Sequence, residues 1–323
     1  MKEIAEFHYR LPMRSSGFRP GSHRGSSFGA GQEFAMHGRL FDYPDPRRID
    51  LRASVRAARS EWLVRVHLQR AAVPVQVLVD VSASMRFGTR RSKLQVAADF
   101  VEALGYSAFR VGDPLGMLAF DSGARDDLFM PPRSGRGIGN LLAGMLRESA
   151  GVDAGTSADF AAAAVSDNCS GSGNGNRSGD GSGIGNRNGS GSGSVGALQR
   201  IASTLAGRQA LVFLVSDFHW PLTALPAVLD LLVHAYVVPI VVWDAAEIAP
   251  PAGGPLLAVR DAESGARRTL WLSAGARERW HEGVARRRAE LSQMFGKRAM
   301  QPFYIEGEFD PEAMSRYFLE AIA

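Results

Sequence analysis

Val73-Pro74-Val75-Gln76-Val77-Leu78-Val79-Asp80-Val81-Ser82-Ala83-Ser84 is the stretch from which the rest of this chain is read. Its first part is β-branched and apolar, the composition of a strand buried on both faces of a parallel sheet. It ends in an acid and two hydroxyls at alternate positions, ahead of a segment with helical spacing. Such a strand delivers oxygen ligands at the carboxyl edge of the sheet, where open α/β folds keep their sites. Asp80, Ser82 and Ser84 suit a hard divalent cation. They are too few for Mg²⁺, which prefers octahedral oxygen coordination and usually keeps some water. Further oxygens are expected elsewhere in the chain.

Two later segments offer them. Leu211-Val212-Phe213-Leu214-Val215-Ser216-Asp217 is a second apolar strand ending in an acid, so Asp217 emerges beside Asp80 if the two strands are neighbours. Gly151-Val152-Asp153-Ala154-Gly155-Thr156 is a turn-rich loop that presents the Thr156 hydroxyl just before a helical stretch over 157–165. Asp80, Ser82, Ser84, Thr156 and Asp217 together look like the complete metal-ion-dependent adhesion site of a von Willebrand factor A domain. That resemblance covers Val73 to about Asp244. Asp and Ser after a strand are also ordinary helix-capping residues. All these ligand types stand at the ends of their predicted elements, and this favours the cation reading. The cofactor it implies is Mg²⁺ or another divalent cation such as Ca²⁺ or Mn²⁺. An inherited but empty site is the competing reading.

The chain has 323 residues, room for one large core or two small ones. No apolar stretch is long enough to span a bilayer, and the start, Met1-Lys2-Glu3-Ile4-Ala5-Glu6, lacks the basic and apolar regions of a leader. A cytoplasmic location is the expectation. Cys169 is the single cysteine, which excludes an internal disulfide and a multi-thiolate metal site. The net charge of +4 is uneven: residues 1–72 hold 13 Lys and Arg against 7 Asp and Glu. That surplus could serve phosphate binding. Its arginines are interspersed with acids and aromatics, as in Phe41-Asp42-Tyr43-Pro44-Asp45-Pro46-Arg47-Arg48-Ile49-Asp50, so ion pairs within the chain are expected and nucleic-acid binding is not.

Residues 10–33 are rich in Gly, Ser, Arg and Pro and read as an extended segment pinned at Phe18 and Phe28. From Ile49 to Leu68 the pattern is strand-like, with Trp62, Val64, Val66 and Leu68 on one face. Helical spacing is predicted over Lys93 to Phe109, and strands over Asp113 to Phe120 and Asp127 to Met130. A second helix follows over Ile138 to Glu148, after the Gly-rich 134–137. No Gly-Lys-Ser or Gly-Lys-Thr occurs, so a P-loop is absent. Residues 166–196 are mostly Gly, Ser and Asn and read as a flexible insertion between helical pieces over 158–165 and 195–205. Beyond Asp217 come a helix over Leu222 to Leu232 and a buried strand over Ala235 to Trp243. A hairpin elaboration at about 250–273 is followed by an Arg-rich helix from Arg277 to Phe295, with Trp280, Val284, Leu291 and Phe295 facing inward. A strand, Pro302 to Ile305, and a helix, Pro311 to Ile322, end the pattern. Strands alternating with helices predict a doubly wound, mostly parallel α/β sheet of Rossmann type. The expected domains are an N-terminal basic extended or β region over 1–72 and a von Willebrand factor A-like domain over 73–323.

Several further segments resemble the bacterial family called domain of unknown function 58. They are Arg48-Ile49-Asp50-Leu51-Arg52-Ala53-Ser54, Gly105-Tyr106-Ser107-Ala108-Phe109-Arg110-Val111-Gly112-Asp113 and Asp261-Ala262-Glu263-Ser264-Gly265. Tyr43 to Leu51 departs from many relatives by lacking a Gly-Asp pair and a Trp. The chain also resembles the MxaS-type methanol-oxidation branch, whose gene neighbourhood serves methanol dehydrogenase. The resemblance implies a von Willebrand factor A-like protein that works beside a MoxR-type AAA+ ATPase in chaperone-like maturation of a protein complex. It also implies a client with an acidic side chain that completes the cation's coordination. The expectation is thus a non-enzymatic adaptor. A metal-dependent hydrolase with His219 as its base, and a structural subunit with an empty site, are the alternatives.

Overall fold

The computed structural model describes residues 6–15, 19–29, 31–57, 61–151, 191–250, 256–260 and 267–320. Near the N-terminus β1 (Pro20–Gly29), β2 (Glu33–Arg39) and β3 (Leu63–Ala71) form a three-stranded antiparallel sheet with β3 in the middle. Residues 10–33 are therefore more than an extended segment. The ladder to β3 needs only backbone groups, so β1 pairs despite its Gly/Ser-rich sequence. Phe28 is exposed rather than a pinning point, and Phe18 lies outside the described residues. The strand expected from Ile49 begins only at Leu63. Before it, α1 (Leu51–Arg56) is capped by Asp50, whose carboxylate accepts from the Ala53 N–H at 3.0 Å. Val64, Val66 and Leu68 are buried on alternate positions as their spacing predicts, while Trp62 is exposed.

The main sheet has six strands. They are β4 (Val75–Asp80), β5 (Leu115–Phe120), β6 (Ala124–Arg133), β7 (Leu211–Ser216) and β8 (Tyr236–Trp243), with β11 (Phe303–Glu306) completing the set after the separate hairpin of β9 (Leu256–Arg260) and β10 (Arg267–Trp271). Their order is β11-β8-β7-β4-β5-β6, parallel throughout except for β6 at one edge. Every residue of β4 and β7 is buried, as their continuous apolar runs require.

One face of the sheet carries α2 (Lys93–Val111), α3 (Ile138–Gly151) and α8 (Pro311–Glu320), whose apolar residues pack on Val75, Val77 and Val79. The other carries α4 (Gly191–Leu205), α5 (Leu225–Leu231) and α7 (Ala274–Gly296), packed on Leu78, Val212 and Leu214. A short α6 (Ala245–Ile248) follows β8. The fold is a mixed α/β one with helices on both faces of a mostly parallel sheet. α4 starts at Gly191, inside the segment predicted as insertion; residues 166–190 and the helix predicted over 158–165 lie outside the described residues. α2 and α3 cross closely where Gly105 meets Gly139: a Cβ on Gly105 would stand 2.2 Å from the Gly139 Cα.

The N-terminal residues are tied to this core. Phe7 and Tyr9 are buried with Phe100 and Phe318, and the Tyr9 hydroxyl donates to Asp113 Oδ2 at 2.6 Å. His23 Nε2 lies 2.7 Å from the same oxygen, and the Val73 N–H donates to Asp113 Oδ1 at 2.8 Å.

Candidate functional site

The chain leaves β4 toward β5 on one side, and β7 then returns to lie on the other side of β4. This reversal opens a crevice outside the carboxyl ends of β4 and β7, the place where doubly wound sheets bind ligands. Val79 pairs with Val215, so Asp80 and Ser216 stand level and Asp217 follows at once. Two of the five predicted ligands, Asp80 and Asp217, thus meet at the crevice. Ser82 and Ser84 occupy the turn after β4, with their hydroxyl oxygens 3.1 Å apart. Thr156 lies outside the described residues.

Asp80 is fully buried. One of its oxygens accepts from the Ser82 N–H at 3.0 Å, the other from the Ser216 hydroxyl at 2.7 Å and the Trp220 indole N–H at 3.2 Å. Ser216 also accepts from the Phe218 N–H at 2.9 Å. Phe218 takes φ of 53°, a left-handed conformation that costs a residue with a Cβ about 1 kcal/mol or more. Burial of its ring and three bonds from the Arg287 guanidinium, to the Phe218 carbonyl at 2.5 and 3.2 Å and to the Trp220 carbonyl at 2.6 Å, hold that turn in place.

Asp217 is fully buried as well, and here the structure adds a residue with no place in the predicted ligand set. The Lys93 ammonium donates to Asp217 Oδ2 and to Glu247 Oε1, each at 2.6 Å. The other Asp217 oxygen accepts from the His219 N–H at 3.1 Å. His219 Nε2 lies 3.4 Å from Glu247, and its ring stacks on Trp243. Asp217, His219 and Glu247 offer ligand atoms within 4.8 Å of one another and could hold a metal ion. Beside them, between the ends of β7 and β8 and α7, lies a cavity of about 400 Å³ lined by His219, Trp243, Arg279, Trp280 and Arg287 among others.

Lys93, Glu247, Ser216 and Trp220 are the site's additions to the sequence reading. Lys93 carries a local signal: it is the first residue of α2, behind the Ser92 capping box, where the helix dipole disfavours a cation. Glu247 closes a capping box with Asp244 at the start of α6.

The two carboxylates are pushed apart in acidity. Burial, then the neighbouring Asp217 charge, raises Asp80 to about 6. Burial would raise Asp217 too, but the Lys93 ammonium and the bonds Asp217 accepts hold it below the usual carboxylate range. Native Asp80 therefore keeps a proton that the unfolded chain has released across the window from about 4 to about 6, so its contribution makes stability fall as pH rises through that window. Asp217 acts in the opposite sense and at lower pH. In EDTA, wild type should gain about 2 kcal/mol relative to Asp80→Asn as pH drops from 6.5 to 4.5. Parallel unfolding free energies for the two proteins in urea titrations at both pH values would refute this.

The Ser82 and Ser84 hydroxyls are hydrogen-bonded to each other, one donating to the other. Two neighbouring oxygens on an octahedral ion with bonds of about 2.1 Å stand about 3 Å apart, close to the 3.1 Å between Ser82 Oγ and Ser84 Oγ. Asp80 and Asp217 add negative charge nearby.

Among known proteins, the sequence model of one family, described as "Protein of unknown function DUF58", matches residues 44–290. Among solved structures, the chain is similar to an aerotolerance-related membrane protein from Bacteroides fragilis NCTC 9343, with 13% identity, a TM-score of 0.37, and 78% of this chain and 98% of that chain covered. No curated protein matched the chain. Among the described residues, no helix is long and apolar enough to cross a membrane.

Proposed function

The chain belongs to the DUF58 family, and from that premise we propose that it is a non-enzymatic adaptor. It binds a partner protein through a divalent cation held by Asp80, Ser82, Ser84, Thr156 and Asp217, in the manner of a von Willebrand factor A domain. The observation that supports this best is the serine pair, 3.1 Å apart beside two buried carboxylates at the switch point of the sheet. Neutral hydroxyls near the ion leave it short of negative charge, and a bound cation supplies a Lewis-acidic position for an acidic side chain of the partner. Arg279, exposed, and Trp280, half-buried, at the rim of the adjoining cavity offer the rest of that partner a cationic and an aromatic contact. The partners of this reading are a MoxR-type AAA+ ATPase, which supplies the work, and a client protein under maturation, methanol dehydrogenase in the methanol-oxidation branch.

Asp80→Ala is a poor probe, because it removes the acceptor of the Ser216 hydroxyl inside the fold and leaves the Trp220 indole N–H only its bond to Ser216 Oγ. Ser82→Ala with Ser84→Ala removes only hydroxyls. Purified ATPase or client should be retained by the wild-type chain in Mg²⁺, and lost both in EDTA and with the double serine variant. Retention under all three conditions would refute the proposal.

Metal-dependent hydrolysis is the second reading, and the spacing of Asp217, His219 and Glu247 favours it. Against it, Lys93 already pairs with both of these carboxylates. Metal-dependent ester or phosphate hydrolysis that disappears in His219→Ala would decide for it.

A further inference from the structure

Lys93 is among the largest fully buried side chains of the protein, with its side chain 2% exposed. Burying an ammonium costs several kcal/mol unless charged partners surround it, and placing it in the first turn of α2 sets it against the helix dipole. Both penalties are offset at one point, between Asp217 and Glu247 at 2.6 Å from each. Two carboxylate oxygens on one buried ammonium make it a doubly paired cation. With His219 beside Glu247, these are donors of the kind and spacing that take a divalent ion.

We propose that Lys93 is a tethered cation that fills the Asp217 side of the centre and thereby weakens the hold of the whole centre on a free divalent ion. The inference rests on the adhesion reading above and deepens it. Asp217 is neutralised from within, while the bonds to Asp80 come from neutral donors only. An ion at Ser82 and Ser84 therefore meets one uncompensated carboxylate and, nearby, the positive charge of Lys93. The missing negative charge comes from the acidic partner, so cation and partner bind cooperatively, each raising the affinity for the other.

The test uses the full chain and Mn²⁺ as probe, with affinity read by calorimetry and by the Mn²⁺ paramagnetic signal, and thermal stability followed with Mn²⁺ and with chelator. Lys93→Met keeps the length of the stem and removes the charge. It should bind Mn²⁺ at least about tenfold more tightly than wild type, and Mn²⁺ should raise its melting temperature more than that of wild type. Lys93→Met with Asp217→Asn removes the stranded carboxylate along with the ammonium, and should fold and lose the gain in affinity. If Lys93→Met folds only with Mn²⁺, that too is the expected result, since the ion then takes the place of the ammonium. A Lys93→Met protein that stays unfolded in Mn²⁺ overturns the proposal. So does one that binds Mn²⁺ no more tightly than a wild type whose own binding is lost in the double serine variant; the adhesion reading then survives. Absence of Mn²⁺ binding in every variant overturns both.

Discussion

Asp217→Ala should lower the unfolding free energy by about 3–5 kcal/mol, the cost of breaking a buried ion pair from one side only. The variant strands the Lys93 ammonium at the start of α2 with Glu247 as its remaining charged partner, and the Glu247 side chain is 21% exposed. It also frees the His219 N–H and loosens the turn through Phe218, which stands in a left-handed conformation. The coupled variant, Lys93→Met with Asp217→Ala, should recover a large part of the loss, because it no longer strands a buried ammonium; the His219 N–H still lacks its acceptor, and Glu247 keeps its bond from the Asp244 N–H. Urea unfolding followed by circular dichroism reads both effects as a shift in midpoint at constant slope. A single-variant loss below about 1 kcal/mol would mean that the ammonium finds water, as an exposed pair does.

Asp113→Ala should cost a comparable amount, about 3–5 kcal/mol, for a different reason. Among the described residues this carboxylate is the acceptor shown for the Tyr9 hydroxyl, His23 Nε2 and the Val73 N–H, at 2.6, 2.7 and 2.8 Å. Each buried polar group left without its partner costs about 1–3 kcal/mol. The loss should also be local before it is global. Tyr9 and β1 are joined to α2 and β4 through this residue, so amide exchange at Phe7, Tyr9 and β1 should quicken well before that of β4 or β7. Tyr9→Phe, which removes one bond, should cost about 1 kcal/mol. Uniform acceleration of exchange across the whole chain would show that Asp113 serves the core and not the N-terminal attachment.

How much of the site was legible follows from what each residue needs. Asp80, Ser82 and Ser84 lie within five residues of one another, so the end of one strand announces them. Asp217 is announced in the same way by β7. The adjacency of the two strands was a condition on the sheet order, met because β7 pairs with β4. Lys93 opens an amphipathic helix, and nothing in the period of α2 distinguishes a solvated lysine from a buried one. In the N-terminal region, alternation at Val64, Val66 and Leu68 was visible, whereas β1 was not, because its pairing rests on backbone groups and its own residues carry no apolar period.

By itself the sequence determined the elements of the main sheet, the end of each strand at which oxygens cluster, and the helices that cover its faces. These depend on hydrophobic period and on capping chemistry, which act over a few residues. Only the tertiary structure decided which charges meet. Lys93 and Asp217 are 124 residues apart, and Lys93 and Glu247 are 154 apart. Their pairing follows from the switch point that sets α2, β7 and α6 around one crevice. There burial makes an unpaired charge too costly to keep, so the ammonium is fixed between the two carboxylates.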